Sequence, residues 1–135
     1  LWENESASRR MRHARDYAGG LFDYSWRARN INPQYATAEA AEVQRNIQSA
    51  RKNLQRVRQE ESTNKDIVAR LDSIDKHLSS ALEHHEAFCA ECAKDEANAH
   101  AMMSCCNDML TELDKAISEH QALIRGITTN AKTNE

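Results

Sequence analysis

Apolar residues recur at three- and four-residue intervals along four separate segments of this chain, and no stretch alternates strictly between apolar and polar. A period near 3.6 turns one face of a helix toward a core, whereas a half-buried strand needs a period of two, so an all-α fold is expected. The second segment is the cleanest, with Ala36, Ala40, Val43, Ile47, Ala50, Leu54 and Val57 on one stripe and Arg and Gln on the other faces. Asn32-Pro33 opens it, as an N-cap followed by a proline at the first helical position, where a backbone N–H would have no intrahelical partner. The first segment aligns Ala7, Met11, Ala14, Ala18, Leu21, Ser25 and Ala28. The third aligns Ile67, Leu71, Ile74, Leu78, Ala81, Leu82 and Phe88, and the fourth Ala99, Met103, Cys106, Leu110, Leu113, Ile117, His120, Ile124 and Ile127.

These stripes predict helices over about 6–30, 33–60, 64–94 and 98–127, forming one domain over 1–128 with a flexible tail at 129–135. Ser62, Thr63 and Asn64 can each cap the third helix, and Asp95 or Asn98 the fourth. Short connections make sequential helices antiparallel neighbours, which gives an up-down-up-down four-helix bundle. Gly19-Gly20 falls inside the first helix, where each glycine weakens it by roughly 1 kcal/mol relative to Ala while allowing a kink or a close backbone approach.

Charge narrows the function. Eighteen Lys and Arg stand against 21 Asp and Glu, so there is no global basic field to draw nucleic acid. Residues 65–127 carry six basic against twelve acidic side chains, which suits a cation better than a polyanion. The local patch Arg9, Arg10, Arg12 and Arg15 offers a contact to phosphates or anionic head groups. No apolar run approaches the ~18–20 residues of a membrane span. A first residue that is Leu rather than Met leads us to expect an upstream segment, and with an even cysteine count this favours a periplasmic or otherwise exported location over a cytoplasmic one.

Four cysteines and four of the six histidines lie between His77 and Cys106. At ~100° per residue, His85, Cys89 and Cys92 fall within about 40° of the stripe through Leu78. On the fourth helix Cys106 is central, Cys105 sits at the edge, and Met102, Met103 and Met109 are on the shoulders. A turn near Ala97 folds these positions together. Three readings compete. Thiolate, imidazole and thioether are donors for copper or zinc, which makes His85, Cys89, Cys92, His100, Met102, Cys105 and Cys106 the candidate metal ligands. Alternatively, Cys89 and Cys92 bridge to Cys105 and Cys106 as disulfide staples of a structural or protein-interaction module in the cell envelope. In the third reading the thiols are small buried hydrophobes and the methionines fill gaps.

Enzymatic motifs are missing. CAEC lacks the strand–helix context of a thioredoxin and the histidine of a haem-attachment motif. No histidine has a Glu three residues before it, as di-iron bundles require. There is no phosphate loop, HExxH or nucleophile elbow. A non-enzymatic protein is expected, with a protein partner or a second copy of the chain as candidate partners. In architecture and donor type the design resembles the cysteine-lined four-helix copper-storage proteins. Those proteins line the bundle with many cysteines, whereas this chain has four at one end, so a metal held here implies one or two ions in a sensor, carrier or buffer and not bulk storage.

Overall fold

The computed structural model describes the backbone of residues 2–133 and the side chains of residues 2–127. Four helices follow in order: α1 (Trp2–Arg27), α2 (Pro33–Glu60), α3 (Lys65–Cys92) and α4 (Ala99–Thr133). Among the described residues there is no strand. Each helix packs on two neighbours, closing a ring in the order α1, α2, α3, α4. Cross-helix pairs fix the directions. Glu3 of α1 meets Asn53 and Arg56 near the end of α2, Arg51 and Arg58 of α2 meet Asp75 and Asp72 of α3, and Asn4 of α1 reaches His120 of α4. Every adjacent pair is antiparallel, as expected of an up-down-up-down bundle.

Burial sharpens the periodicity from 3.6 to 3.5. The inward positions are Asn4, Ala7, Met11, Ala14, Ala18, Leu21 and Ser25 on α1, and the seven predicted positions on α2. On α3 they are Leu71, Ile74, Leu78, Ala81, His85, Phe88 and Cys92, and on α4 Met102, Cys106, Met109, Leu113, Ala116, His120 and Leu123. Each set alternates steps of three and four without a break. That is the heptad of a bundle whose side chains interlock across slightly tilted helices. α4 is rolled relative to the expected stripe: Cys106, Leu113 and His120 are kept, but Met102, Met109 and Ala116 replace Met103, Leu110 and Ile117 at the centre. The small Ala116 and the adaptable methionines fill the interior, while Leu110 and Ile117 pack from the flanks.

Helix ends follow capping chemistry. Asn32 Oδ1 accepts the N–H of Tyr35, Asn64 Oδ1 that of Ile67, and Asn98 Oδ1 that of Ala101. α1 starts earlier than expected, with Glu3 and Glu5 complementing the positive end of its dipole, and stops at Arg27. α4 continues past residue 127 to Thr133, through a stretch free of Gly and Pro after Gly126; residues 134–135 of the expected tail lie outside the described residues. The expected kink at Gly19-Gly20 does not interrupt α1, and a Cβ on either glycine would meet nothing within 4 Å, so no backbone approaches closely there. Among the described residues, no helix is long and apolar enough to cross a membrane.

Candidate thiol and imidazole site

α3 and α4 meet at a connection, residues 93–98, whose geometry is set by one carboxylate. Glu91 is only 7 % exposed, and its Oε1 accepts the Asn98 N–H at 2.8 Å while its Oε2 pairs with Lys94 at 2.7 Å. Those two partners hold its carboxyl below the usual range. Asn98 in turn caps α4, so Glu91 fixes how the two cysteine-bearing helices leave the turn. The interhelical pairs Ser73–Glu119, His77–Glu112 and His84–Asp108 continue the same register down the hairpin.

On this frame α3 carries His85, Cys89 and Cys92, and α4 carries Cys105 and Cys106. His85, Cys92 and Cys106 are buried; Cys89 and Cys105 lie at the core's edge. All four cysteines are free thiols, so the expected staples among Cys89, Cys92, Cys105 and Cys106 are not formed. Cys89 Sγ lies 3.7 Å from His85 Nε2. Burial drives Cys92 up to about 11, with neighbouring Cys89, Glu91 and Cys105 adding to the rise. Burial likewise drives Cys106 up to about 12, with Cys105 and Cys92 adding to it and the Ser25 hydroxyl of α1 opposing it. Cys89 and Cys105 are also raised, again chiefly by burial. The thiols therefore sense one another across the hairpin, and they are protonated at neutral pH.

Burial lowers the His85 imidazole, so its ring is neutral at neutral pH. Its Nε2 faces Cys89, while its buried Nδ1 has no hydrogen-bond partner. The Ala40 backbone of α2 acts against the lowering by favouring the protonated ring.

The remaining candidates divide. Met102 is fully buried in the same core cluster as Cys92 and Cys106, whereas His100 is exposed on the first turn of α4. Among the described residues, no group of three or more His, Cys, Asp or Glu side chains is arranged to hold a metal ion. The seven expected ligands are thus gathered at one end of the bundle, apart from His100, without converging on a common point. Three of the other histidines are engaged elsewhere: His77 between Glu112 and Glu119, His84 with Asp108, and His120 with Asn4. Of the arginine patch, Arg15 is committed to Asp114.

Sequence reasoning missed three contributors: Glu91, Ser25 and Ala40. Glu91 had a signal, since a Glu between two inward cysteines with Lys three residues on and a capping Asn beyond must either be buried with partners or break the turn. Ser25 was visible as a polar residue on an apolar stripe. The Ala40 backbone left no trace in the sequence.

The raised thiols give an expected labelling order. Thiolate is the reactive species, so at pH 8 Cys92, and more so Cys106, should react with iodoacetamide at least about tenfold more slowly than an ordinary thiol, the higher nucleophilicity of a high-pKa thiolate offsetting part of its scarcity. Peptide mass spectrometry over a time course measures this. Labelling of Cys106 as fast as that of Cys105 would contradict the burial assigned to it.

Comparison of the chain with protein-family models, with curated proteins and with solved structures finds no match in any of the three.

Proposed function

We propose that this bundle is a non-enzymatic soft-metal-binding protein that takes one or two Cu(I) ions, or less favourably Zn(II), at the α3–α4 end. The observation that carries this reading is the gathering of four free, mutually sensing thiols beside a buried imidazole whose Nδ1 lacks a partner. Thiolate and imidazole with thioether nearby is a soft donor set, and soft donors select Cu(I). Zn(II) asks for a closed tetrahedral sphere, while Cu(I) is satisfied by as few as two thiolates. The second preference suits donors that are near one another without forming a larger converged group. A bound cation would also remove the cost of placing thiolates in an apolar interior.

The test is competition against a chromogenic Cu(I) chelator with reduced protein. Binding should weaken as pH falls, because the thiols must release protons to coordinate. His85→Ala combined with Cys89→Ser should weaken it, and adding Cys92→Ala and Cys106→Ala should abolish it while the helical circular dichroism persists. A second reading rests on Cys92 facing Cys105 and Cys106 across the hairpin, where oxidation would staple α3 to α4. Protein purified without reductant that shows no free thiols, and takes up neither metal after reduction, would favour the staple and overturn the metal reading.

A further inference from the structure

Two adjacent glycines in the middle of α1 have no use inside the chain. Neither adopts a positive φ, and a Cβ on either would meet nothing within 4 Å, so neither backbone conformation nor packing requires them. Each nevertheless weakens the helix relative to Ala. What Gly20 does is keep open a groove of about 260 Å³ between α1 and α2, lined by Asp16, Tyr17, Gly20, Leu21, Tyr35 and Glu39.

The walls of that groove specify a ligand. Tyr17 from α1 and Tyr35 from α2 are 36 % and 48 % exposed, presenting aromatic surface from both helices. Tyr35 is set in place by the start of α2. Its N–H donates to Asn32 Oδ1 at 3.1 Å, and its ring packs on Tyr24 with centroids 4.8 Å apart. The Tyr24 hydroxyl in turn accepts the Asn32 N–H at 2.6 Å. A ring held this way loses little freedom when a ligand arrives. Each helix also contributes a carboxylate, Asp16 and Glu39; among the described residues neither makes a side-chain hydrogen bond or ion pair, though the charge of Asp16 is also felt by Arg15. This is unlike Glu3, Asp72, Asp75 and Asp114, each of which is paired with an arginine on a neighbouring helix. Arg15, adjacent to Asp16, is committed to Asp114 on α4.

Aromatic faces beside carboxylates that lack an ion-pair partner, Glu39 above all, attract a cation, and a guanidinium can stack on a tyrosine while its fork of N–H groups donates to a carboxylate. The groove is smaller than the ~300–1,000 Å³ of typical small-molecule pockets, a size for one side-chain head. A free amino acid would bring its own carboxylate toward Asp16 and Glu39, whereas a residue within a peptide would not. We propose that the α1–α2 groove around Gly20 binds an arginine side chain presented by a basic segment of a partner protein. The proposal is independent of the metal reading, which concerns α3 and α4.

Titration of the protein with a capped arginine-rich hexapeptide, followed by calorimetry and by amide NMR shifts, tests it. Binding should shift Gly20, Leu21 and Tyr35, and a lysine hexapeptide or spermine should bind more weakly. Gly20→Leu fills the groove without changing net charge and with a better helix former, so it should abolish binding while the melting temperature holds or rises. Gly20→Ala should retain binding, and Glu39→Gln should weaken it by about tenfold or more. The proposal is overturned if the wild type does not bind, if Gly20→Leu binds as well as the wild type, or if spermine matches the arginine peptide. Concentration-dependent dimerisation that Gly20→Leu removes would also overturn it, by assigning the groove to a second copy of the chain.

Discussion

Ile47→Asp is expected to lower the free energy of unfolding by at least about 4 kcal/mol, enough to bring a domain of ordinary stability close to unfolding at room temperature. Ile47 is fully buried at the middle of α2. Truncating such a side chain alone costs roughly 2–5 kcal/mol, and the carboxylate must then either be buried unpaired or take up a proton inside the core. Arg51→Asp, one turn later on the same helix, is the matched control. It removes an ion pair in which Arg51 Nε and Nη2 donate to Asp75 at 2.8 and 3.2 Å, and it leaves two carboxylates facing each other. Both side chains are partly exposed, at 32 % and 48 %, so the loss should be about 1–2 kcal/mol. Urea midpoints with unchanged m-values separate the two variants. Equal midpoints would mean that the wrong face of α2 has been placed in the core.

α2 was readable in the sequence because every element of its signal agrees: a cap, a proline at the first position, and an apolar stripe with no competing apolar face. All seven predicted core positions are buried. α4 was harder because its apolar surface is wide enough to hold two heptad sets that share Cys106, Leu113 and His120. Periodicity alone favoured the bulkier set with Leu110 and Ile117. Packing chose the set with Met102, Met109 and Ala116, because the interior of a four-helix ring limits side-chain volume at each layer. The helix pair α1–α2 shows the same limit from the other side. Gly19-Gly20 reads in sequence as a kink or a close contact, and only the fold shows that the missing side chains face open space.

The candidate site divides along similar lines. That Cys92 and Cys106 turn inward and Cys105 stays at the edge follows from helical angles, and the structure agrees; Cys89, which the same angles turn inward, lies instead at the edge. Whether donors on two helices reach a common point depends on rotamers and on axial offset to within an ångström or two, and neither is encoded in spacing. The offset is set by Glu91 and Asn98 at the turn, where the sequence contains no glycine or proline to mark a boundary. His100 illustrates the consequence: counted as a ligand because it is a histidine in the cluster, it falls on the exposed side of the first turn of α4.

At the opposite end of the ring, His120 should make the bundle acid-sensitive well above the carboxylate range. It is 1 % exposed, and its Nε2 lies 3.0 Å from Asn4 Oδ1, which assigns the ring proton to Nε2 as donor. Burial, with Arg12 adding repulsion, lowers it from 6.5 to about 4. Unfolding returns the ring to its ordinary value, so between these two pH values the unfolded chain binds a proton that the folded one does not. Stability contributed by the neutral ring is therefore fully present above about 6.5 and is lost as pH falls toward 4, by about 3 kcal/mol in all. His85, lowered by burial as well, adds loss of the same sign. His120→Gln keeps a donor for Asn4 but cannot titrate, so chemical denaturation from pH 7 to pH 4 should show a shallower decline for the variant, with the difference approaching one proton. Parallel pH profiles for the two proteins would mean that His120 takes up its proton alike in the folded and unfolded chain, and burial beside Asn4 would then not be what holds the ring neutral.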